Sequence, residues 1–146
     1  MEIRKLSVDD YDKVYELWMS CRNMGFNNID DSREGIGKFI KRNPETSFAA
    51  VEDGRIIGVI LAGNDGRRGY IYHMSVAEDH RRQGIGSQLV DKCLEALEKE
   101  GIAKVALLVF NRNEAGNAFW ESQGFTERTD ITYRNKALTE IIRIDT

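Results

Sequence analysis

Val76-Ala77-Glu78-Asp79-His80-Arg81-Arg82-Gln83-Gly84-Ile85-Gly86-Ser87 is the stretch on which the reading of this chain turns. Before it, Tyr70-Ile71-Tyr72-His73-Met74-Ser75-Val76 has the β-rich, period-two look of a strand. After it, Ile85, Leu89, Val90, Cys93, Leu94 and Leu97 form one apolar stripe at helical spacing, which predicts a long helix from about Gly84 to Glu100. A strand therefore ends, a short basic loop follows, and two glycines open a helix. Helix N-termini carry unpaired N–H groups and partial positive charge. Glycine there lets the main chain approach an anion with no Cβ in the way, and Arg81 and Arg82 add charge beside it.

Three anion sites compete for this pattern. A P-loop needs Gly-Lys-Ser/Thr, and no lysine follows Gly86. A dinucleotide fingerprint needs a third glycine, where Leu89 stands, and a parallel sheet before it. The pyrophosphate of coenzyme A is what remains.

Working outward, the middle of the chain reads as an antiparallel meander. Ser47–Glu52 is a strand, Asp53-Gly54 a hairpin turn, Arg55–Ala62 the return strand, and Asn64–Gly69 a second turn into the strand already described. Met1–Leu6 reads as a short edge strand. Ser7 with Asp10 marks a helix start, and Tyr11, Val14, Tyr15, Leu17 and Trp18 carry a first helix to about Ser20. Residues 23–28 read as a loop, and a second helix runs from Asp31-Ser32 to Pro44. Beyond the long helix, Gly101 is placed to cap it. Lys104–Phe110 is nearly all apolar, as in a strand buried on both faces. Asn113–Gln123 predicts a fourth helix, and two closing strands are expected at about 125–134 and 137–144.

Composition bounds the function. The 146 residues carry 21 basic and 24 acidic side chains, a formal charge of −3. A general nucleic-acid binder would show a basic face instead. No apolar run reaches the ~18 residues of a membrane span, and the start of the chain lacks the apolar core of a signal peptide. Cys21 and Cys93 have no metal or redox spacing; buried thiols in a reducing, cytoplasmic setting are expected. One domain, residues 1–146, is expected, with no metal.

The motifs resemble those of the GNAT superfamily of acyl-CoA-dependent N-acetyltransferases. Arg81-x-x-Gly84-x-Gly86 is similar to its pyrophosphate loop. Met74-Ser75-Val76 is similar to the end of its fourth strand, and Asn113 with Ala118-Phe119-Trp120-Glu121-Ser122-Gln123-Gly124-Phe125 to its distal box. The resemblance covers the whole chain and is closest to small stand-alone bacterial members. It implies an α+β, three-layer fold: a mixed, mostly antiparallel seven-stranded sheet with helices on both faces. It implies direct attack of a primary amine of a small molecule or protein on acetyl-CoA in a ternary complex, with no covalent enzyme intermediate.

By the same resemblance, the N–H groups of Arg82, Gln83, Gly84, Ile85, Gly86 and Ser87 hold the pyrophosphate. Met74, Ser75 and Val76 line the pantetheine arm, Val76 N–H faces the oxyanion, and Asn113, Phe119 and Trp120 complete the cofactor side, with Arg81 nearby. Homodimers are common among such chains. Trp120 replaces a tyrosine proposed to protonate the leaving thiolate, and Leu108 replaces a glutamate base. These losses leave room for an alternative, a non-catalytic acyl-CoA-binding regulatory module.

Strand alternation puts Tyr70, Tyr72, Met74 and Val76 on one face. Family members with a base on this strand carry it at positions matching Tyr70 or Tyr72, so the resemblance makes Tyr72 a candidate to line the acceptor pocket and relay a proton through water, against a reading as a plain core aromatic. His73 is expected on the opposite face as a satisfied histidine, and His80 as solvated. Tyr133 is a candidate for the missing phenol. Asp30, Asp31 and Glu34 read as a helix start that complements the dipole, and Arg67-Arg68 as a solvated turn.

Overall fold

The computed structural model describes all of residues 1–146. Its main sheet has five strands in the order β1-β3-β4-β5-β6, and a separate pair joins β2 to β7. The meander is as expected: β3 (Phe48–Glu52), β4 (Arg55–Asn64) and β5 (Gly69–Val76) run antiparallel, with β1 (Glu2–Lys5) antiparallel on β3. The Asp53-Gly54 turn has φ of +50° and +76°, the left-handed pair that matches the twist of a tight hairpin. β6 (Val105–Leu107) lies parallel to β5.

Helices cover both faces, and two glycines of β4 report which helix lies where. A Cβ on Gly58 would meet Leu89 and Ile85 of α3 (Ile85–Lys99), whereas one on Gly63 would meet Asn43 and Phe39, at the end of α2 (Arg33–Arg42). α1 (Tyr11–Ser20) lies on the α2 side, with Trp18 wholly buried. Ser7 and Asp10 form the expected capping box ahead of α1. Gly101, at φ +80°, ends α3: its N–H donates to Glu98 O, and Ile102 N–H donates to Leu97 O. Leu89, Val90, Cys93 and Leu97 of α3 are fully buried, and burial of each Leu or Val contributes roughly 1.5–3 kcal/mol. α4 (Glu114–Ser122) follows β6.

The C-terminal quarter departs from the sequence reading. The expected strands at 125–134 and 137–144 are absent; only β7 (Arg143–Asp145) forms, and it pairs with β2 (Gly25–Asn27), inside what reads as a loop. The sheet is thus five-stranded plus a two-stranded ribbon, not seven-stranded. Nothing pairs with the outer edge of β6, so that strand stops after three residues and Leu108 is 70% exposed. The 104–110 run is not buried on both faces, because no strand covers one of its sides.

Candidate active site

β5 and β6 pair only at Gly69–Ile71 with Val105–Leu107. Beyond Ile71 the two strands part, leaving the β6-facing edge of β5 open from Tyr72 to Val76. Ala77 N–H donates to Ile57 O on β4, and N–H directions alternate along a strand. Val76 therefore turns its N–H and C=O to the gap. The carbonyl is met there by Arg81, whose Nε donates to it at 3.1 Å, while Arg81 Nη2 lies 3.8 Å from Cys21 Sγ.

At the end of the gap stands the start of α3. The first backbone bond of the helix is Gln88 N–H to Gly84 O, and Arg81 N–H donates to Glu78 O. The six N–H groups between them, Arg82 through Ser87, have no acceptor in the protein. Arg82 at φ +63° and Gly84 at φ +78° take left-handed backbone on either side of Gln83, and a turn of this kind gathers successive N–H groups into a concavity suited to an anion. The two glycines do different work. Nothing lies within 4 Å of a Cβ on Gly84, so its role is the backbone conformation; a Cβ on Gly86 would sit 3.2 Å from the Phe119 ring. A glycine at 86 gives the Phe119 ring of α4 room to pack on α3.

Asn113 caps α4, its Oδ1 accepting from Gly116 N–H at 2.9 Å. Gln123 Nε2 donates to Ser87 Oγ at 3.0 Å and ties the end of α4 to the start of α3. Trp120 is buried, edge-on to Phe119 and Phe125 at 5.0 and 5.2 Å between ring centroids. It is a core residue that shapes this wall through Phe119.

The single face expected for Tyr70, Tyr72, Met74 and Val76 is broken by a bulge. Leu61 pairs with Tyr72 and Val59 with Ser75, so two residues, His73 and Met74, oppose Ile60 alone. His73 takes φ +49° there. Tyr70 and Tyr72 consequently stack on the α2 side, with Phe39 edge-on to Tyr72, whereas Met74 turns to the α3 side near Gly86. Burial pushes the Tyr72 phenol above its usual value, with Tyr70, Tyr133 and Asp30 close enough to add to the effect. It stays protonated near neutral pH and suits a hydrogen-bond donor lining the cleft better than a base. Tyr133, mostly exposed, faces the same wall.

His73 is satisfied and partly buried as expected but lies on the Tyr72 side of the sheet, and His80 departs from its expected solvated setting. His73 Nε2 lies 2.7 Å from Asp31 Oδ1, in contact with Trp18 and Phe26. Asp31 is thus not a helix cap; Ser32 is, its Oγ accepting from Gly35 N–H. His80 is not solvated: its ring nitrogens meet Asp79 and Glu52, and both carboxylates favour the protonated ring and raise its pKa. Asp79 also holds Arg55. The Arg67-Arg68 turn is as expected, both N–H groups donating to Asp65. Cys21 and Cys93 are buried and free, and burial pushes the Cys93 thiol up to about 12.

The profile of the acetyltransferase (GNAT) family matches residues 11–125. The chain belongs to that family. An acetyltransferase of Pectobacterium atrosepticum is 31% identical over 140 residues, 96% of this chain and 97% of that one. An acetyltransferase of Sodalis glossinidius is 29% identical over the same length and shares. Among solved structures, Ard1 from Thermoplasma volcanium aligns with a TM-score of 0.76 at 24% identity, over 86% of this chain and 82% of that one. The PaiA N-acetyltransferase of Thermoplasma acidophilum, solved with coenzyme A, aligns at 0.73 and 19% identity over 99% and 98%. This GNAT protein is an acetyl-CoA-dependent N-acetyltransferase. The bare N–H groups of Arg82–Ser87 and the open edge at Val76 fit the diphosphate and amide-bearing arm of that co-substrate.

Proposed function

We propose that this GNAT enzyme transfers acetyl to a primary amine, of a small molecule or a protein, that enters from the α1–α2 side and attacks the thioester directly in a ternary complex. One observation carries the reading: the six N–H groups of Arg82–Ser87 are unpartnered, and β5, which leads to them, has no strand on its β6 side beyond Ile71. Arg82, Gln83, Gly84, Ile85, Gly86 and Ser87 take the pyrophosphate. Met74, Ser75 and Val76 border the pantetheine arm, and Val76 N–H meets the oxyanion, a role that needs only main chain. Asn113 and Phe119 close the cofactor side, and Tyr70, Tyr72 and Tyr133 with Asp30 wall the acceptor side. Release of free thiol from acetyl-CoA with a panel of primary amines tests this. Saturable binding of acetyl-CoA without release from any amine supports the regulatory-module alternative instead.

Each copy carries an unpaired β6 edge and an exposed segment with Ile131, Leu138 and Ile142. An unpaired strand edge and an exposed apolar segment on one chain are features that a second copy can cover, which supports a homodimer. Light scattering that gives a monomer at micromolar concentration would exclude it. The net charge of −3 supports a partner set without nucleic acid, and no helix is long and apolar enough to cross a membrane. Two free cysteines suit a reducing, cytoplasmic compartment.

A further inference from the structure

We propose that His73, held by Asp31, takes the proton from the incoming ammonium group; this rests on the acetyl-transfer reading of the cleft. The pair is built with care. Asp31 Oδ2 accepts from Asn27 N–H at 2.8 Å, its backbone carbonyl accepts from Tyr11 Oη at 2.6 Å, and its remaining oxygen, Oδ1, meets His73 Nε2. A carboxylate only accepts, so Nε2 carries the hydrogen and Nδ1 is left with its lone pair. Nδ1 has no partner in the protein, yet no buried side-chain nitrogen or oxygen is without one. Nδ1 is therefore not sealed from solvent.

Two further features argue against plain packing. The pocket around the ring is aromatic, with Trp18 at 5.1 Å and Phe26 at 4.7 Å between centroids. A phenylalanine would fill it without bringing in a carboxylate to be satisfied. His73 also sits at φ +49° in the strand bulge, a conformation that side chains with a Cβ rarely hold. Trp18 Nε1 and Ser75 Oγ fix it there, both donating to His73 O at 3.3 and 3.0 Å. Strain kept in place by dedicated contacts points to function. The bulge puts His73 on the same side as Tyr72, three residues before Val76 on the open edge of β5.

In the step, Nδ1 accepts a proton from R–NH3+, directly or through one water, giving R–NH2 and an imidazolium stabilised by Asp31. The amine lone pair forms the N–C bond at the thioester carbon. The tetrahedral adduct collapses with loss of coenzyme A thiolate, which takes the second amine proton to become the thiol. The imidazolium returns its proton to solvent. The titratable groups facing the ring are Asp31 from the loop before α2, Tyr11 from α1 through Asp31, and Tyr72 from β5.

The test measures His73→Gln and Asp31→Asn with the best-turned-over amine of the thiol-release panel, across about pH 5.5 to 9. Calorimetry with acetyl-CoA alone checks the wild type first: no saturation there sinks the acetyl-CoA reading and leaves the proton relay apart. His73→Gln is expected to bind acetyl-CoA within about threefold of wild type. Its kcat should fall by about 10²-fold or more, and kcat/KM should then follow only the ionisation of the amine. Asp31→Asn, which keeps the shape, should lose at least about tenfold in kcat with the acetyl-CoA KM unchanged. A folded His73→Gln, or an Asp31→Asn enzyme if the former does not fold, with wild-type kcat and an unchanged pH profile overturns the proposal.

Discussion

Gly86→Ala separates two jobs that a glycine at this helix start can have. Its backbone is ordinary right-handed helix, so alanine introduces no strain and gains up to about 1 kcal/mol of helix propensity. Against that, the new Cβ lies 3.2 and 3.3 Å from Phe119 Cζ and Cε1, and 3.7 Å from Met74 Cε. Carbon atoms rest at about 3.5–4.0 Å, so the ring must retreat by a few tenths of an ångström. It is backed by Trp120, which is itself wedged on Phe125. Overpacking of this kind costs about 1–3 kcal/mol, which outweighs the propensity gain and leaves a net loss of about 1 kcal/mol. In a Phe119→Leu background the ring edge is gone and alanine should stabilise, a coupling of about 1–2 kcal/mol. Urea unfolding of the four proteins measures the cycle. Because the Cβ points at Phe119 and away from the bare N–H groups, folded Gly86→Ala should bind acetyl-CoA within about threefold of wild type. A variant more stable than wild type, or one that keeps stability but loses tenfold in acetyl-CoA affinity, refutes the packing argument.

Trp18→Phe removes the Nε1–H bond to His73 O and part of a wholly buried ring; a loss of about 2–4 kcal/mol in urea unfolding is expected, and a loss below 0.5 would contradict its place in the core (~0.5 kcal/mol being typical of surface sites). His80 has its pKa raised by Asp79 and Glu52, so its contribution is full below the unfolded histidine value and fades as pH rises through the folded one. Wild type should therefore lose more melting temperature than His80→Asn between about pH 6 and 9; parallel curves would count against it. With its thiol pushed up to about 12, Cys93 should resist alkylation in the native protein at pH 8 and react at once in urea; rapid native labelling of Cys93 would show that it is not sealed.

Local rules made most of the fold legible. The Ser7–Asp10 box, the Asp53-Gly54 turn, the Gly101 cap and the two periodicities each depend on residues close in sequence, and each is found where the pattern puts it. The bare N–H run was legible for the same reason, since Gly84 ahead of an apolar helical stripe specifies it. What was not legible depends on partners far apart. β2 exists only because residues 143–145 return to pair with it, and Gly25-Phe26-Asn27 alone carries no strand signal. Strand alternation misplaced Met74 relative to Tyr72 because one extra residue at His73 reverses every side chain beyond it. The Asp31–His73 pair spans 42 positions; an acid beside a helix start reads as a dipole partner until the structure shows Ser32 holding the cap. Trp120 in place of a tyrosine removes a phenol at that position, and its indole is taken up in the core between Phe119 and Phe125.

The most direct measurement follows the backbone amides of Arg82–Ser87 by 15N-resolved NMR while coenzyme A is titrated in. If the diphosphate seats on these six groups, their resonances shift together, saturate with the ligand and gain protection from hydrogen exchange. Saturable binding that leaves all six unmoved and unprotected would contradict it.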